Sequence, residues 1–579
     1  MADQSQPKRT IVRRNADRSE PLPGIDPILD LVYRNRGVRS TTELDNSLSN
    51  LLRPDSLTNL EDAIEIIHEA VQADVQIVIA GDYDADGATG SALAYLVLKA
   101  FGARNVGFFC PSRFEYGYGL SAGFVEHITS FIQPDLIITV DNGISSNDGV
   151  ELARQRGISV VVTDHHLPGE NLPQADAIVN PNLNGDKFPS KNLAGVGVIF
   201  YVLSAVRARL KESKWFENEG IAVPNMAEYL DLVALGTVAD VVPLDHNNRI
   251  LISHGLKQIN AGKCRFGIKA LLESGRRKIG RIVSEDLAFA AGPRLNASGR
   301  LEDITIGIRS LISKKEDEVL KLIGDIETLN QSRRQIQQSM MEEATAEIKA
   351  LENDLEQETA GMCLYKDSWH QGVTGLIASQ IKELTGRPTI VFSSADDEQI
   401  RGSGRSVPEV NIRDALAEIS MRNPDLIIQF GGHAMAAGLT LRAEAFEKFK
   451  AEFSDQLLHM RKGNAWKNEI LSDGEAIALD LKTAEQIQNG GPWGQGFEYP
   501  VFDGIFEIVE YQVLQGLHLR MRVYSKRHQK RFNAIYFRYF SQFSSPPELS
   551  QYQMVYRLEV NEFRQEKSVQ LKVQYMHQI

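Results

Sequence analysis

The 579-residue sequence predicts a multidomain α/β protein: a parallel-sheet domain, a long helical connector, a second and smaller α/β domain, and a C-terminal β-barrel. Three observations predict it. Apolar, β-branched runs at 75–80, 106–109, 136–140 and 158–163 are spaced by segments long enough for helices, the pattern of βα units around a parallel sheet. Residues 314–358 contain no proline and place Leu322, Ile326, Leu329, Ile336, Met340, Ile348, Leu351 and Leu355 three or four residues apart, or at multiples of that spacing, as in one or two long helices. The tail, 470–579, alternates short β-type segments with turns, as in a small barrel.

The order of parts follows. Residues 1–60 form an N-terminal arm and helices: the first 25 or so carry Pro7, Pro21, Pro23 and many charges and read as loosely held, with helices near 26–36 and 58–72. Residues 61–245 hold the first α/β domain, ending in a helical stretch at 227–239 that delivers Asp240. A helical region and connector occupy 246–358. The second α/β domain, 359–460, has a strand at 362–365, a helix at 374–385, a strand at 389–392 and glycine-rich turns at 401–406 and 431–438. After a linker at 461–467, residues 468–579 form the barrel.

Composition narrows the function classes. A formal charge of −13 argues against a surface coated in cations and confines any nucleic-acid contact to local patches. Cys110, Cys264 and Cys363 are far apart, offer no disulfide framework and no zinc-ligand pair, and fit a reducing compartment. No apolar run reaches the ~18 residues of a membrane span, and the first 15 residues lack a secretory core. The expectation is a cytoplasmic protein.

Three short runs carry the chemistry. Gly81-Asp82-Tyr83-Asp84-Ala85-Asp86-Gly87, Val140-Asp141-Asn142-Gly143 and Thr163-Asp164-His165-His166 each follow a predicted buried strand. In open α/β sheets functional groups gather beyond the carboxyl ends of the strands, so runs distant in sequence meet in one crevice. Asp82, Asp84 and Asp86 would share one side of a regular strand and repel unless a cation neutralised them. Asp141 is placed to bridge two ions, and Asp164, His165 and Asp240 complete a mixed oxygen and imidazole shell. Such donors suit Mn²⁺ or Mg²⁺ better than a thiolate-seeking metal. Two ions about 3.5–4 Å apart would polarise a phosphate and activate water, which points to phosphate-ester hydrolysis. The first run also resembles the start of a calcium loop, but it follows a strand and lacks the terminal glutamate. Asp240 alone reads as a helix cap or turn residue.

Together with Gly-Thr-Val-Ala-Asp-Val-Val-Pro-Leu at 236–244 and Gly-Gly-His-Ala-Met-Ala-Ala-Gly at 431–438, these runs resemble the DHH/DHHA1 phosphoesterases. The resemblance implies a DHH catalytic domain, a DHHA1 domain and an oligonucleotide-binding (OB)-like barrel. It implies that Asp84, Asp86, Asp141, His165 and Asp240 hold two divalent cations, with Asp141 bridging. Asp82 stands where relatives often offer histidine and is the natural substitute ligand. His166 would reach the scissile phosphate and Asp164 would orient its neighbours.

The DNA-acting members of this family imply a single-stranded-DNA-specific 5′→3′ exonuclease that releases 5′-mononucleotides in repair, recombination and mismatch repair. They imply a monomer whose partners are a single-stranded-DNA-binding protein and a RecQ-type helicase. Arg405, with Ser403 in a Gly-Ser-Gly-Arg-Ser run, resembles the family's phosphate-binding turn and suits a 5′-phosphate. Arg113, Arg300 and His433 are companions for substrate. Between 516 and 540 there are seven Lys or Arg, including Arg520, Arg522, Lys526 and Arg527, and no Asp or Glu, interleaved with aromatics, of which one or two would stack on bases. The rival readings are a phosphoesterase for very short oligonucleotides or cyclic dinucleotides, against which the cationic tail speaks, and a non-catalytic DNA-binding scaffold, against which the intact acidic runs speak.

Overall fold

The computed structural model describes residues 9–14, 20–112, 115–353, 360–395, 398–461, 468–563 and 566–579. They fall into two units, residues 1–327 with 469–579, and residues 328–468. The first unit begins with a strand, β1 (Thr10–Arg13), and the helices Pro27–Asn35 and Leu60–Gln72. Its central sheet is built from β2 (Ile77–Gly81), β3 (Val106–Phe109), β4 (Leu136–Val140), β5 (Ser159–Thr163) and β6 (Ala177–Val179) in the order β3-β2-β4-β5-β6. All four pairings are parallel. β2 and β4 are buried along their whole length, which is why their sequences are apolar without alternation. All carboxyl ends therefore lie on one edge of the sheet, where the three acidic runs begin.

The helices Ala85–Phe101, Gly195–Glu212 and Leu230–Ala239 pack on one another and bring their ends to that edge. Leu230–Ala239 is buried all round and lies against His246–Asn260 so closely that a Cβ on Gly255 would sit 2.3 Å from the Leu230 carbonyl oxygen. The helix Gly292–Leu301 follows a π-helical turn at Leu287–Ala291. A single helix, Glu316–Asn353, then accounts for the predicted connector. Val319, Ile323 and Ile326 belong to the core of the first unit. Met340, Ala344 and Ile348 belong to a cluster of the second unit with Met362, Leu364 and Trp369. Leu355 lies outside the described residues, as does the side chain of Leu351.

The second unit holds a mixed sheet of β7 (Met362–Lys366), β8 (Thr389–Ser394), β9 (Gln399–Arg405), β10 (Gln429–Gly432) and β11 (Ala436–Arg442) in the order β10-β11-β9-β8-β7. The glycine-rich run at 401–406, expected as a turn, is mostly strand β9. Its glycines supply space on the buried face: a Cβ on Gly402 would meet Phe392 at 2.5 Å, and one on Gly404 would meet Ile412 at 2.6 Å. Arg401, Ser403 and Arg405 line the opposite, half-buried face. The second glycine-rich segment is the β10–β11 hairpin rather than a free turn. The expected linker lies outside the described residues except for Arg461, which closes the helix Phe446–Arg461.

The C-terminal part returns to the first unit. β12 (Glu469–Ser472) pairs in parallel with β1, so the N-terminal arm is tied down over Thr10–Arg13 and not loose there. Arg13 grips buried Asp503 with two nitrogens, at 3.0 and 2.8 Å, and Arg36 holds buried Asp473 at 2.7 and 2.9 Å. The barrel itself closes through β13 (Phe502–Leu514), β14 (His518–Ser525), β15 (Lys530–Tyr536), β16 (Gln551–Phe563) and β17 (Glu566–Gln578), in the order β13-β14-β15-β17-β16. Three of its strands run 13 residues, longer than the short segments the sequence suggested. Phe502, Met521, Val523, Phe532, Met554 and Tyr556 fill it. Trp493 is buried in a stack with Tyr33 and Phe497, joining the C-terminal segment to the N-terminal helices.

Gly255→Ala forces an extra methyl into the contact behind the helix that delivers Asp240. The substitution is expected to cost about 1–3 kcal/mol, read as a lower thermal unfolding midpoint; an unchanged midpoint would show that the two helices separate freely.

Candidate metal centre

The first acidic run leaves the sheet and turns immediately into a helix. β2 ends at Gly81, the Asp82 N–H donates to the Val140 carbonyl at 3.2 Å, and Asp84 caps the helix Ala85–Phe101 by accepting from the N–H groups of Asp86 and Gly87 at 2.9 and 3.1 Å. The segment is not a regular strand, so the three aspartates do not share one side by alternation. Aspartate is a strong helix cap, and the helix starts at Ala85, inside the acidic run itself. Gly87 makes the turn possible, because a Cβ there would lie 2.5 Å from the Asp82 carbonyl oxygen. Asp86, in the first turn, is fully buried and accepts from the Gly195 and Val196 N–H groups at 2.6 and 2.9 Å, the start of the helix Gly195–Glu212.

Asp141 follows β4 in the left-handed region at φ 65°, and its N–H donates to the Thr163 carbonyl at the end of β5. The Asn142 amide donates to the carbonyls of Ala80 and Val140 at 3.0 and 2.9 Å, clamping the ends of β2 and β4 together. Asp164, wholly buried after β5, accepts from the N–H groups of Ile144, His165 and His166 and from His166 Nδ1 at 2.8 Å. Asp240 is the C-cap of Leu230–Ala239, as the helical stretch read from the sequence implied, and Val241 after it takes φ 63°.

The side chains converge. His165 Nε2 lies 3.1 Å from Asp141 Oδ1 and 3.5 Å from Asp240 Oδ2. Those three atoms are buried without a hydrogen-bond partner. Asp82, Asp84 and Asp141 bring one ligand atom each within 4.8 Å of one another, as do Asp86, His165 and Asp240, and Asp141, His165 and His166. Burial and mutual repulsion push the carboxyls of Asp86 and Asp141 well above the usual range, and burial raises Asp240 against the pull of His165. Burial also lowers His165, leaving a neutral imidazole able to donate a lone pair. His166 is the reverse: burial pulls it down, but its hydrogen bond to Asp164 outweighs that and holds it at about 9. Asp164 stays below its ordinary value although buried, because His166 and backbone donors surround it. The donor set therefore fits hard divalent cations.

Sequence reasoning missed three supports. Gly195 admits a helix N-terminus against the metal cluster, since a Cβ there would lie 2.4 Å from that of Asp141. Asn296 accepts from the Ala85 N–H at 2.8 Å, so the helix Gly292–Leu301 braces the first run. Tyr118 donates to the Asp141 carbonyl at 3.2 Å and lies 3.0 Å from His166 Nδ1. The glycines at 195 and 197 inside an apolar helical stretch were the available signal for the first. Nothing local marks the other two.

The remaining predicted residues lie elsewhere. Arg113 lies outside the described residues. Arg300 sits half-buried in the last turn of Gly292–Leu301. In the second unit Ser403 Oγ is 3.1 Å from Thr374 Oγ1, and Arg405 Nη2 is 3.0 Å from where a Cβ on Gly375 would stand, over the N-terminus of the helix Thr374–Thr385. Arg405 donates to the Gly404 carbonyl at 2.8 Å, and burial alone lowers its pKa. His433 is exposed in the β10–β11 hairpin. Arg520 and Arg522 point outward from β14, Arg522 lies 3.6 Å from Glu510, Lys526 is exposed, and Arg527 pairs with Glu475. Of the interleaved aromatics, Phe532, Tyr536 and Tyr539 are core, and Phe537 is 48% exposed.

Comparison with known proteins agrees with this architecture. Family models match residues 76–237 (DHH family, N-terminal domain), 358–458 (DHHA1 domain) and 475–575 (RecJ OB domain). The single-stranded-DNA-specific exonuclease RecJ of Dickeya dadantii is 46% identical over 570 residues, 98% of this chain and 99% of that protein. The Escherichia coli protein of the same name is 43% identical over 562 residues, 96% of this chain and 97% of its own. The crystal structure of Thermus thermophilus RecJ in complex with Mn²⁺ superposes with a TM-score of 0.77 at 27% identity, covering 96% of this chain and 76% of that one. Its Mg²⁺ complex superposes at 0.71, with 26% identity and coverage of 96% and 75%. With identity sustained across every domain, the chain belongs to the RecJ family of DHH/DHHA1 phosphoesterases.

Proposed function

We propose that this chain is a metal-dependent exonuclease that degrades single-stranded DNA in the 5′→3′ direction to 5′-mononucleotides. The observation that carries the reading is the convergence of Asp141 Oδ1, His165 Nε2 and Asp240 Oδ2, buried and without hydrogen-bond partners, at the carboxyl edge of the sheet. Asp84, Asp86, Asp141, His165 and Asp240, with Asp82 in the histidine position, would hold two divalent cations. The Mn²⁺ and Mg²⁺ complexes of the Thermus relative support either ion. When bound, the pair supplies an acidified water and polarises the scissile phosphate.

The protein's own groups do the rest. His166, kept protonated by Asp164, offers a cation to a phosphate oxygen, and Tyr118 lies 3.0 Å from the same Nδ1 that Asp164 holds. In the second unit Arg405, Ser403 and the N–H groups opening Thr374–Thr385 form an anion seat suited to a terminal 5′-phosphate, with His433 as a further substrate contact there; Arg300 is a substrate contact of the first unit. On the barrel Arg520, Arg522, Lys526 and Arg527 track phosphates, and exposed Phe537 is an aromatic available to stack on a base. The same reading extends through the family to repair, recombination and mismatch repair, to a single-stranded-DNA-binding protein and a RecQ-type helicase as partners, and to a cytoplasmic monomer. The three free cysteines suit a reducing compartment. No helix among the described residues is long and apolar enough to cross a membrane.

Incubation of the full chain with Mn²⁺ or Mg²⁺ and end-labelled strands is expected to release labelled mononucleotide at once from 5′-labelled single strands and only late from 3′-labelled ones. Cleavage confined to dinucleotides would replace this reading with the short-oligonucleotide one. Arg405→Ala is expected to reduce the preference for 5′-phosphorylated over 5′-hydroxyl ends by about tenfold, the worth of one charge-assisted contact.

Asp141→Asn is expected to lower turnover by at least about 100-fold while single-strand binding persists. The same change acts oppositely on stability after chelation. A carboxyl whose folded pKa exceeds its unfolded value, about 4, loses stability as pH rises between the two. Asn removes that loss, so the chelated variant is expected to melt above the chelated wild type at neutral pH, with the gap closing on acidification. Mn²⁺ should reverse the order, as differential scanning fluorimetry would show.

A further inference from the structure

The segment 493–497 at the start of the C-terminal domain packs on Pro243 and Leu244, just beyond Asp240. Asp240 ends its helix, Val241 takes the left-handed region at φ 63°, and the chain then passes through Pro243 and Leu244 into the helix His246–Asn260. A branched residue in that region is unfavourable, so the reversal that aims Asp240 needs to be held from outside. The Leu244 peptide is gripped on both sides. Its N–H donates to the Gln495 carbonyl at 2.7 Å, and its carbonyl accepts from Arg249 Nη1 at 2.9 Å. Arg249 also donates to the Glu43 carbonyl at 2.8 Å and stacks over Phe497 at 4.2 Å. Gly494 and Gly496 let the segment lie flush: a Cβ on Gly494 would meet Leu244 Cδ1 at 2.6 Å, and one on Gly496 would meet Pro243 at 3.3 Å. The segment is itself fixed, because Ser284 Oγ donates to the Trp493 carbonyl at 2.6 Å and Trp493 Nε1 donates to the Ile487 carbonyl at 2.8 Å.

We propose that residues 493–497 and Arg249 form a clasp that positions Asp240 for metal, so that the C-terminal domain completes the metal site as well as contacting DNA. Arg249, Gly494 and Gln495 are positioning residues; none touches substrate. The proposal rests on the reading of Asp240 as a metal ligand.

The test measures Mn²⁺ binding to the full chain by electron paramagnetic resonance of the free ion, beside steady-state kinetics on single strands. Asp240→Asn serves as the reference for loss of the ligand. Tyr33→Phe, which removes the hydrogen bond to the Gly490 carbonyl at 2.8 Å, loosens the same junction without touching Leu244. Arg249→Ala and Gly494→Ala are expected to weaken Mn²⁺ binding about tenfold, in the range of lost outer-shell support. They should lower kcat at unchanged KM for DNA and regain turnover at raised Mn²⁺. Tyr33→Phe should leave Mn²⁺ affinity unchanged. Unaltered Mn²⁺ affinity in both Arg249→Ala and Gly494→Ala, with Asp240→Asn weakened, overturns the clasp alone. Equal weakening in Tyr33→Phe overturns it too, by showing general loosening. An unaffected Asp240→Asn overturns the ligand reading beneath it.

Discussion

Buried like charge is the constraint on which the rest of this structure depends. Asp82, Asp86, Asp141 and Asp164 are each no more than 4% exposed, and Asp84 and Asp240 stand beside them. Carboxylates so placed cannot all be ionised without compensating charge or hydrogen bonds. The parallel sheet creates the problem by delivering three acidic runs to one edge. Much of the surrounding architecture answers it: a helix N-terminus aimed at Asp86, a helix capped by Asp84, and glycine at 195 and 236 where any side chain would collide with the cluster.

The acids are not compensated equally, and the inequality separates their uses. Asp164 is satisfied within the protein, by three backbone N–H groups and His166, and remains ionised. Asp84 spends one oxygen on its helix cap and Asp86 spends both on backbone donors, so each keeps only remaining lone pairs for an ion. Asp141 and Asp240 each keep an oxygen with no protein donor, and burial raises both. The protein thus spends hydrogen bonds on orienting some carboxylates and withholds them from others. A cation is what the withheld ones fit.

Features set by local pattern were legible in the sequence. β3, β4 and the helix Thr374–Thr385 have the limits that periodicity and punctuation suggested, and the three acidic runs meet as strand ends should. Features that depend on distant partners were not. The pairing of β1 with β12 joins residues more than 450 positions apart, and nothing in the charged N-terminal arm announces it. Glycine misled at 401–406 because it serves two ends, free backbone rotation and missing volume, and only the neighbours Phe392, Leu439 and Ile412 show that volume is the reason there. Asp82 is buried beside Asp84 and Asp141 and adds negative charge where an imidazole would add none.

His165 and His166 show how far a site's chemistry can depend on contacts the sequence does not display. The two are adjacent and have the same intrinsic basicity, yet one is driven down and the other up to about 9. Burial acts downward on both. The difference is direction: His165 turns its Nε2 toward Asp141 and Asp240, whereas His166 turns its Nδ1 to Asp164 at 2.8 Å, an acid kept ionised by its own backbone donors. A neutral imidazole suits a metal ligand and an imidazolium suits a phosphate oxygen. In the proposed reaction the pair therefore divides between ion and substrate, and Asp164, which touches neither, is the residue that sets the division.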